Sequence, residues 1–484
     1  MPFPFTFPFP FDFDVPNGGV WCYIDWDGDG DWDSSSEDVS AYLRSYSIKR
    51  GKDSNMGRAQ VGTANITLKD VAGKFIPSST VSPLTGYVIP GRKVKLSRYY
   101  GGTEYVLFTG YLDDIQNDYG DTVREAYFNC TDGSERLAKS EVRKFSGSLK
   151  DRTAGNILQK VFDWAGWPTG ILSLDTGGCT YPYVWPYALT LKTIVDRLID
   201  AEDGLFYVAR DGMYTWENRD HRTTYHSTSE WTCPGTVWRS LKTENNWKGI
   251  VNGILVKNTP RFEYPSNTTA WENPENALNN TSPLIEASCS RGFWVVYTDI
   301  NGNRNQASGV SYYKTANTSS MGGGVNKTAS VADTVTSWGD SAYWLMTNNA
   351  TSNVYIVASR VEGRIWTNGD EIRITSEDTG SQDVYGIRDQ ALTLEWAPTS
   401  SEMQTIADNI IANNSSARPT YIVELVPNSG DALTHALDLD ISDRFTLQDS
   451  RISLSRDVYI DQVQHSWNVM DGVHHTYWTV SCAT

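Results

Sequence analysis

The chain has 484 residues, enough for three or four domains at roughly 100 to 200 residues each. With 39% hydrophobic residues, 12% aromatic residues and 18 Trp, it carries many large side chains to bury, which excludes general disorder. Its 58 acidic against 41 basic residues give a formal charge of −17, which excludes a basic nucleic-acid-binding surface, because phosphate binding rests on clustered Lys and Arg.

The first fifteen residues, MPFPFTFPFPFDFDV, put Phe3, Phe5, Phe7, Phe9, Phe11 and Phe13 at alternate positions, with Pro2, Pro4, Pro8 and Pro10 among them. In an extended chain all six rings line one side, while the prolines exclude the centre of a sheet. Such an arm gains most by lying in a groove, and a neighbouring subunit is the favoured host. The start lacks the basic and continuous apolar regions of a signal peptide, so synthesis in the cytoplasm is expected.

Next comes VWCYI, which is strand-like, and then DWDGDGDWD. The spacing D-x-D-x-D-G places Asp25, Asp27 and Asp29 at calcium-loop positions 1, 3 and 5, Gly30 at the sharp turn and Asp33 at position 9. Ser36 stands where a bidentate glutamate belongs, and Glu37 comes one place late. Two readings stay open: an acidic turn whose Asp side chains bond nearby N–H groups, or a weak calcium site of Asp25, Asp27, Asp29 and Asp33 with the Asp31 carbonyl.

From 20 to about 140 the pattern is β, with SYSIKRG, ANITLKD and a hairpin in GRKVKLSRYYGGTEYVLFTGYLDDI about Gly101-Gly102. TAGNILQKVFDWAGW then places Ile157, Leu158, Val161, Phe162 and Ala165 on one helical face and stops at Gly166. TLKTIVDRLIDAEDG repeats the device with Ile194, Val195, Leu198 and Ile199, ending at Gly204. LFYVARDGMYTWEN reads as two short strands about Asp211-Gly212, making a small α+β unit. After GILVKN the chain turns polar, with MGGG at 321 as a loop, and SAYWLMTNNATSNVYIVASRVEGRIW returns to strands around an Asn-rich turn. A capping box from Thr399 to Glu402 starts a third helix, and the last stretch is a hairpin about Asp471-Gly472.

Little here carries catalytic chemistry. The cysteines at 22, 130, 179, 233, 289 and 482 are scattered and read as single buried thiols. Asn267, Asn280 and Asn317 start sequons that count as chance without a secretory signal. A two-residue turn at Asp471-Gly472 sets His474 opposite Val469, His475 opposite Asn468 and His465 opposite Trp478, so the three imidazoles do not converge on a metal. Carboxylate neighbours such as Asp113-Asp114 are expected by chance among 58 acids, and no hydrolase, zincin, P-loop or dinucleotide motif occurs.

In their order, the Phe/Pro arm leading to DWDGDGDWD, IKRG at 48–51, GRAQVGTANITLKDVAGKFIPSS and GRKVKLSRYYGGTEYVLFTGYLDDI resemble the hub, or minor tail protein, at the tip of long bacteriophage tails. AEDGLFYVARDGMYTWENRDHR, SAYWLMTNNATSNVYIVASRVEGRIW and VYIDQVQHSWNVMDGVHHTYW extend the resemblance over 1–260 and 330–484. It implies a mainly β chain with α+β: two tube-like β-barrel hub domains, a small α+β domain and an inserted β-rich region. The expected division is an arm at 1–19, a first hub domain at 20–145, the α+β domain at 146–235, a second hub domain at 236–260 and 355–484, and the insertion at 261–354.

The resemblance also implies a structural, non-catalytic homotrimer at the virion tail tip. Its partners are the distal tail and tail-tube proteins, the tape measure protein and tip or fibre proteins. Its ring passes DNA without binding it, as the acidic balance suits. The last hairpin ends close to Thr484, so no appended lysin is expected. The rival reading is a calcium-dependent carbohydrate-binding adhesin or depolymerase, with calcium at the aspartate loop and aromatic residues stacking on sugar.

Overall fold

The computed structural model describes residues 19–52, 58–80, 82–120, 124–142, 149–245, 247–273, 282–321, 324–397, 399–427 and 429–483. The phenylalanine arm, including Phe3, Phe5, Phe7, Phe9, Phe11 and Phe13, lies outside the described residues, as does the sequon Asn280.

Alternating burial organises the β structure. In the strand Gln60–Lys69, Gly62, Ala64, Ile66 and Leu68 turn inward and the residues between them turn out. The strand Thr420–Leu425 does the same with Tyr421, Val423 and Leu425. One apolar face per sheet follows, and each large side chain buried there contributes roughly 1.5 to 3 kcal/mol.

The largest sheet has twelve strands drawn from both ends of the chain. In chain order they are β1 (Val20–Ile24), β2 (Leu43–Gly51), β3 (Gln60–Lys69), β4 (Lys93–Tyr100), β5 (Thr103–Tyr119) and β6 (Arg124–Thr131). The others are β7 (Trp231–Pro234), β8 (Trp238–Glu244), β9 (Thr420–Leu425), β10 (Arg444–Asp449), β11 (Leu454–Asn468) and β12 (His474–Cys482). The spatial path runs β1-β4-β5-β6-β3-β2-β11-β12-β9-β8, with β10 also on β11 and β7 beside β10. Only β7 and β10 run parallel.

The hairpin of β4 and β5 turns at Gly101-Gly102 as the sequence predicts, with φ of 59° and 86°, both positive as a tight hairpin turn requires. The last hairpin differs from expectation. Its ladder ends at Trp467↔His474, so residues 468–473 form a wider turn. The reason is competition for donors: the Val469 amide is taken by the Arg44 carbonyl at 2.8 Å, and the Gly472 amide by the Asn468 carbonyl at 2.9 Å.

The chain is mainly β with several sheets, but among the described residues no sheet closes into a barrel, in contrast to the two tubes expected. β2 and β11 use their remaining edges on each other, from Ser45↔Asn468 to Gly51↔Gln462, so the two halves merge instead of closing separately. The outer edge of β1 is covered by the returning segment 37–40, through Ile24 N–H to the Glu37 carbonyl and Val39 N–H to the Cys22 carbonyl.

The helices Ala154–Trp164 and Leu191–Glu202 form where predicted, and a Thr190 hydroxyl accepts from the Thr193 amide to cap the second. Asp203, with φ of 53°, takes the left-handed position ahead of Gly204. Strands Leu205–Val208, Tyr214–Glu217 and Leu172–Leu174 pair beside them. Their core also takes in Ile254, Val256, Leu394, Met403 and Ile406. These come from the strand Gly253–Asn258, its neighbour Asp389–Leu394 and the capped helix Ser400–Asn414.

Around residues 261–368, Val354–Asn368 pairs with Arg261–Glu263, Thr268–Glu272, Leu284–Ile285 and Ala307–Asn317. A second sheet, Ser290–Val296, Val331–Trp338 and Ser341–Asn348, packs on the same core through Trp344 and Met346.

At the seam between β2 and β11, Gly51 has φ of 107°, and a Cβ there would sit 2.2 Å from the Asp461 carbonyl oxygen. Gly51→Ala therefore combines backbone strain of ~1–3 kcal/mol with a backbone clash, and is expected to lower the thermal unfolding midpoint by several degrees. Differential scanning fluorimetry on purified wild type and variant checks this.

Candidate functional site

The acidic loop follows β1 directly. Asp25 is 3% exposed and its two carboxylate oxygens accept from the amides of Gly28 at 2.6 Å and Gly30 at 3.1 Å, so its side chain is fixed. Asp27, Asp29 and Asp31 each accept from the amide two residues on, at 3.3, 3.1 and 3.2 Å. One carboxylate oxygen from each of Asp25, Asp27, Asp29 and Glu37 lies within 4.8 Å of the others. Asp33 falls instead into an exposed group with Asp29 and Asp31. The late glutamate thus takes the place that the spacing assigned to Asp33. The turn at 34–37, closed by Glu37 N–H to the Ser34 carbonyl at 3.0 Å, brings it back.

Glu37 is 1% exposed. Its Oε2 accepts from the Ser34 amide at 3.0 Å, while Oε1 is buried without a hydrogen-bond partner. Burial, followed by repulsion from Asp27, Asp25 and Asp29, raises its carboxyl above the usual range.

The second concentration of polar groups lies at the β2–β11 seam. Arg50 meets Asp440 at 2.7 Å, and Asp461 takes Lys52 at 3.4 Å and Arg222 at 2.9 Å. Arg222 comes from the α+β region, so this carboxylate ties that region to the sheet. Beside it, Tyr46 Oη, His474 and His465 form a buried chain, with 2.9 Å from Tyr46 Oη to His474 Nδ1 and 3.2 Å from His474 Nε2 to His465 Nδ1. The two imidazoles meet because the observed register moves His465 opposite Thr476, while His475 turns to the other face toward Glu424. Burial holds His465 down to about 3 and His474 well below the ordinary histidine range.

Other groups offer less. In a cleft lined by Lys52, Arg58, Arg219, Arg222 and Arg418, the first four cations are already on carboxylates, with Arg58 on Asp200 and Arg219 on Glu402, and Arg418 donates to the Ala412 carbonyl. His226 lies 3.2 Å from Glu230 and 3.4 Å from Asp443, a grouping whose only sequence signal is the four-residue spacing of the first two. Asp113 and Asp114 lie on an exposed face. Cys22, Cys130, Cys179 and Cys233 are buried as expected, but Cys289 is exposed. Sequence reasoning missed an aromatic platform at Trp294, Trp338 and Tyr343. Trp294 is 68% exposed, with ring centroids 5.8 Å from Trp338 and 5.0 Å from Tyr343. Three strands register these rings, and the apolar run FWVV at 293–296 was their sequence signal. No helix among the described residues is long and apolar enough to cross a membrane.

Neither a family model nor a curated protein sequence matches the chain. Solved structures do. The 43 kDa tail protein of prophage MuSo2 from Shewanella oneidensis superposes with a TM-score of 0.51 at 11% identity, over 95% of this chain and 97% of that one. The fold is that of a phage tail protein. The tail protein from Neisseria meningitidis MC58 matches equally, with a TM-score of 0.51 at 9% identity, over 96% of this chain and 95% of that one.

Within this tail-protein fold the histidine pair has a defined pH consequence. Both rings are neutral when folded, and take protons near pH 6.5 once unfolded. Their stabilising effect is present above that value and is lost as pH falls toward 3. Each contributes a slope of up to about 1.4 kcal/mol per pH unit. Arg50, Arg98, Arg210 and His475 oppose protonation, and Asp440 favours it. The thermal midpoint is expected to drop steadily between pH 6.5 and 4, and His465→Leu to make that decline shallower, as read by fluorimetry across a buffer series.

Proposed function

We propose that the chain is the structural hub at the distal end of a phage tail, a non-catalytic component of the virion tail tip. Three copies form a ring that continues the tail tube, caps it and anchors tip or fibre proteins for host attachment. In this reading the arm at 1–19 straps a neighbour and 20–145 is the first hub unit, while the second draws on 231–244 and 420–482, because 253–258 and 389–414 pack with the α+β core and 354–368 with the insertion.

The observation that carries the reading is a fold shared with tail proteins over nearly the whole chain. The make-up of the large sheet supports it further. Six strands, β1 to β6, come from the first part of the chain and six, β7 to β12, from 231 onward. Three chains would supply six such units, which suits a sixfold tube. A heterologous contact that closes after three copies also ends growth. The charge of −17 suits a conduit through which DNA passes without sticking.

Analytical ultracentrifugation of the purified chain, alone and with its tail-tube and distal tail partners, is expected to give a trimer or a trimer-based ring. Deleting residues 2–14 is expected to weaken that assembly while leaving circular dichroism and melting unchanged. A monomer under all these conditions would refute the hub.

The exposed Trp294, stacked on the half-buried Trp338, favours a second reading, carbohydrate binding, because an exposed indole face can stack on a sugar. If this operates, the protein binds host-surface glycan on an array, and Trp294→Ala abolishes binding without changing oligomeric state. Equal binding by wild type and variant removes the platform from consideration.

A further inference from the structure

The acidic turn explains most of its own aspartates. Asp27, Asp29 and Asp31 are exposed and each caps an amide two residues on, as aspartates in solvated turns do. Glu37 does not fit that account. It is buried to 1% exposure, its Oε1 has no partner, and the groups it faces are three more carboxylates. A buried acceptor left unpaired among like charges is costly unless something positive completes it. Among the described residues no Lys or Arg forms an ion pair with any of the four. The Arg92 guanidinium lies beside Gly28 and donates from Nε to the Tyr87 carbonyl.

We propose that Asp25, Asp27, Asp29 and Glu37 form a calcium site that clamps the returning segment 37–40 to the edge of β1. Four carboxylates and no imidazole or thiolate make a hard, all-oxygen donor set. The ligands come from positions 1, 3 and 5 of a calcium-type loop, but the buried glutamate arrives at position 13, where the turn at 34–37 returns it. Calcium tolerates that irregularity, because it accepts six to eight oxygens in flexible geometry, whereas magnesium demands a near-ideal octahedron. Water fills the remaining positions on the exposed side of Asp27 and Asp29. The backbone carbonyl of Glu37 accepts the Ile24 amide at 3.0 Å, and the Asp25 amide donates to the Lys93 carbonyl at 3.0 Å. Drawing Glu37 and Asp25 onto one ion therefore fixes segment 37–40 on β1 and β1 on β4. The site stands on this chain alone and does not depend on ring assembly.

The test uses the full chain, stripped with chelator and titrated with Ca²⁺ by calorimetry. In parallel, Tb³⁺ luminescence is sensitised by the neighbouring Trp26 and Trp32. The expected result is one Ca²⁺ per chain at a dissociation constant of about 10⁻⁴ M, with Mg²⁺ at least about tenfold weaker. Glu37→Gln is expected to lower Ca²⁺ affinity tenfold or more, and Asp33→Asn to leave it within twofold, which separates this ligand set from a regular loop. Should Glu37→Gln fail to fold, Asp27→Asn, at an exposed position, is expected to show the same loss. The proposal is overturned by no heat and no luminescence up to about 5 mM ion, by Glu37→Gln or Asp27→Asn binding as wild type does, or by Asp33→Asn losing as much as Glu37→Gln.

Discussion

Pairing of β2 with β11 joins residues 45–51 to 462–468 and makes one sheet out of two ends of the chain. The consequences spread outward from this contact. Because each strand spends its second edge on the other, neither half can close on itself. The charges that flank the contact are then withdrawn from water and must be matched. Arg50 finds Asp440, and Asp461 finds both Lys52 and Arg222. At Gly51 the neighbouring strand leaves no room for a Cβ, and the missing side chain lets the Asp461 carbonyl accept the Lys52 amide at 2.8 Å.

A seam of this kind exchanges stability for definition. Buried ion pairs and neutral buried histidines gain little net energy over an apolar packing of equal volume, yet they penalise every register but one. A slip of one residue between β2 and β11 would put Tyr46 and Trp467 on opposite faces of the sheet and part Tyr46 from His474. The outcome is a single relative placement of the two six-strand units. The α+β region reinforces it through Arg222, and its apolar core is shared with strands and a helix from beyond residue 250.

The outer parts of the molecule follow different rules. Residues 261–368 form their own two-sheet core and present aromatic rings to solvent, where they do not affect the seam. At the opposite boundary, the acidic loop lies between β1 and the segment that covers its edge.

Local pattern was enough to place the two amphipathic helices, the capped helix Ser400–Asn414 and the glycine hairpin of β4 and β5, because each depends on neighbours a few residues away. The spacing of Asp25, Asp27 and Asp29 marked out a loop with two readings, an acidic turn or a cation site. Three features were decided only by tertiary structure. Glu37 replaces Asp33 beside those aspartates because a turn and the edge of β1 carry it there. His465 and His474 meet because Arg44, remote in sequence, takes the Val469 amide and moves the hairpin turn. The merged sheet exists because β2 and β11 recognise each other across more than four hundred residues, through edge hydrogen bonds that hydrophobic periodicity does not record. Periodicity tells which face of a strand is buried, but the partner at its edge is chosen by the rest of the fold.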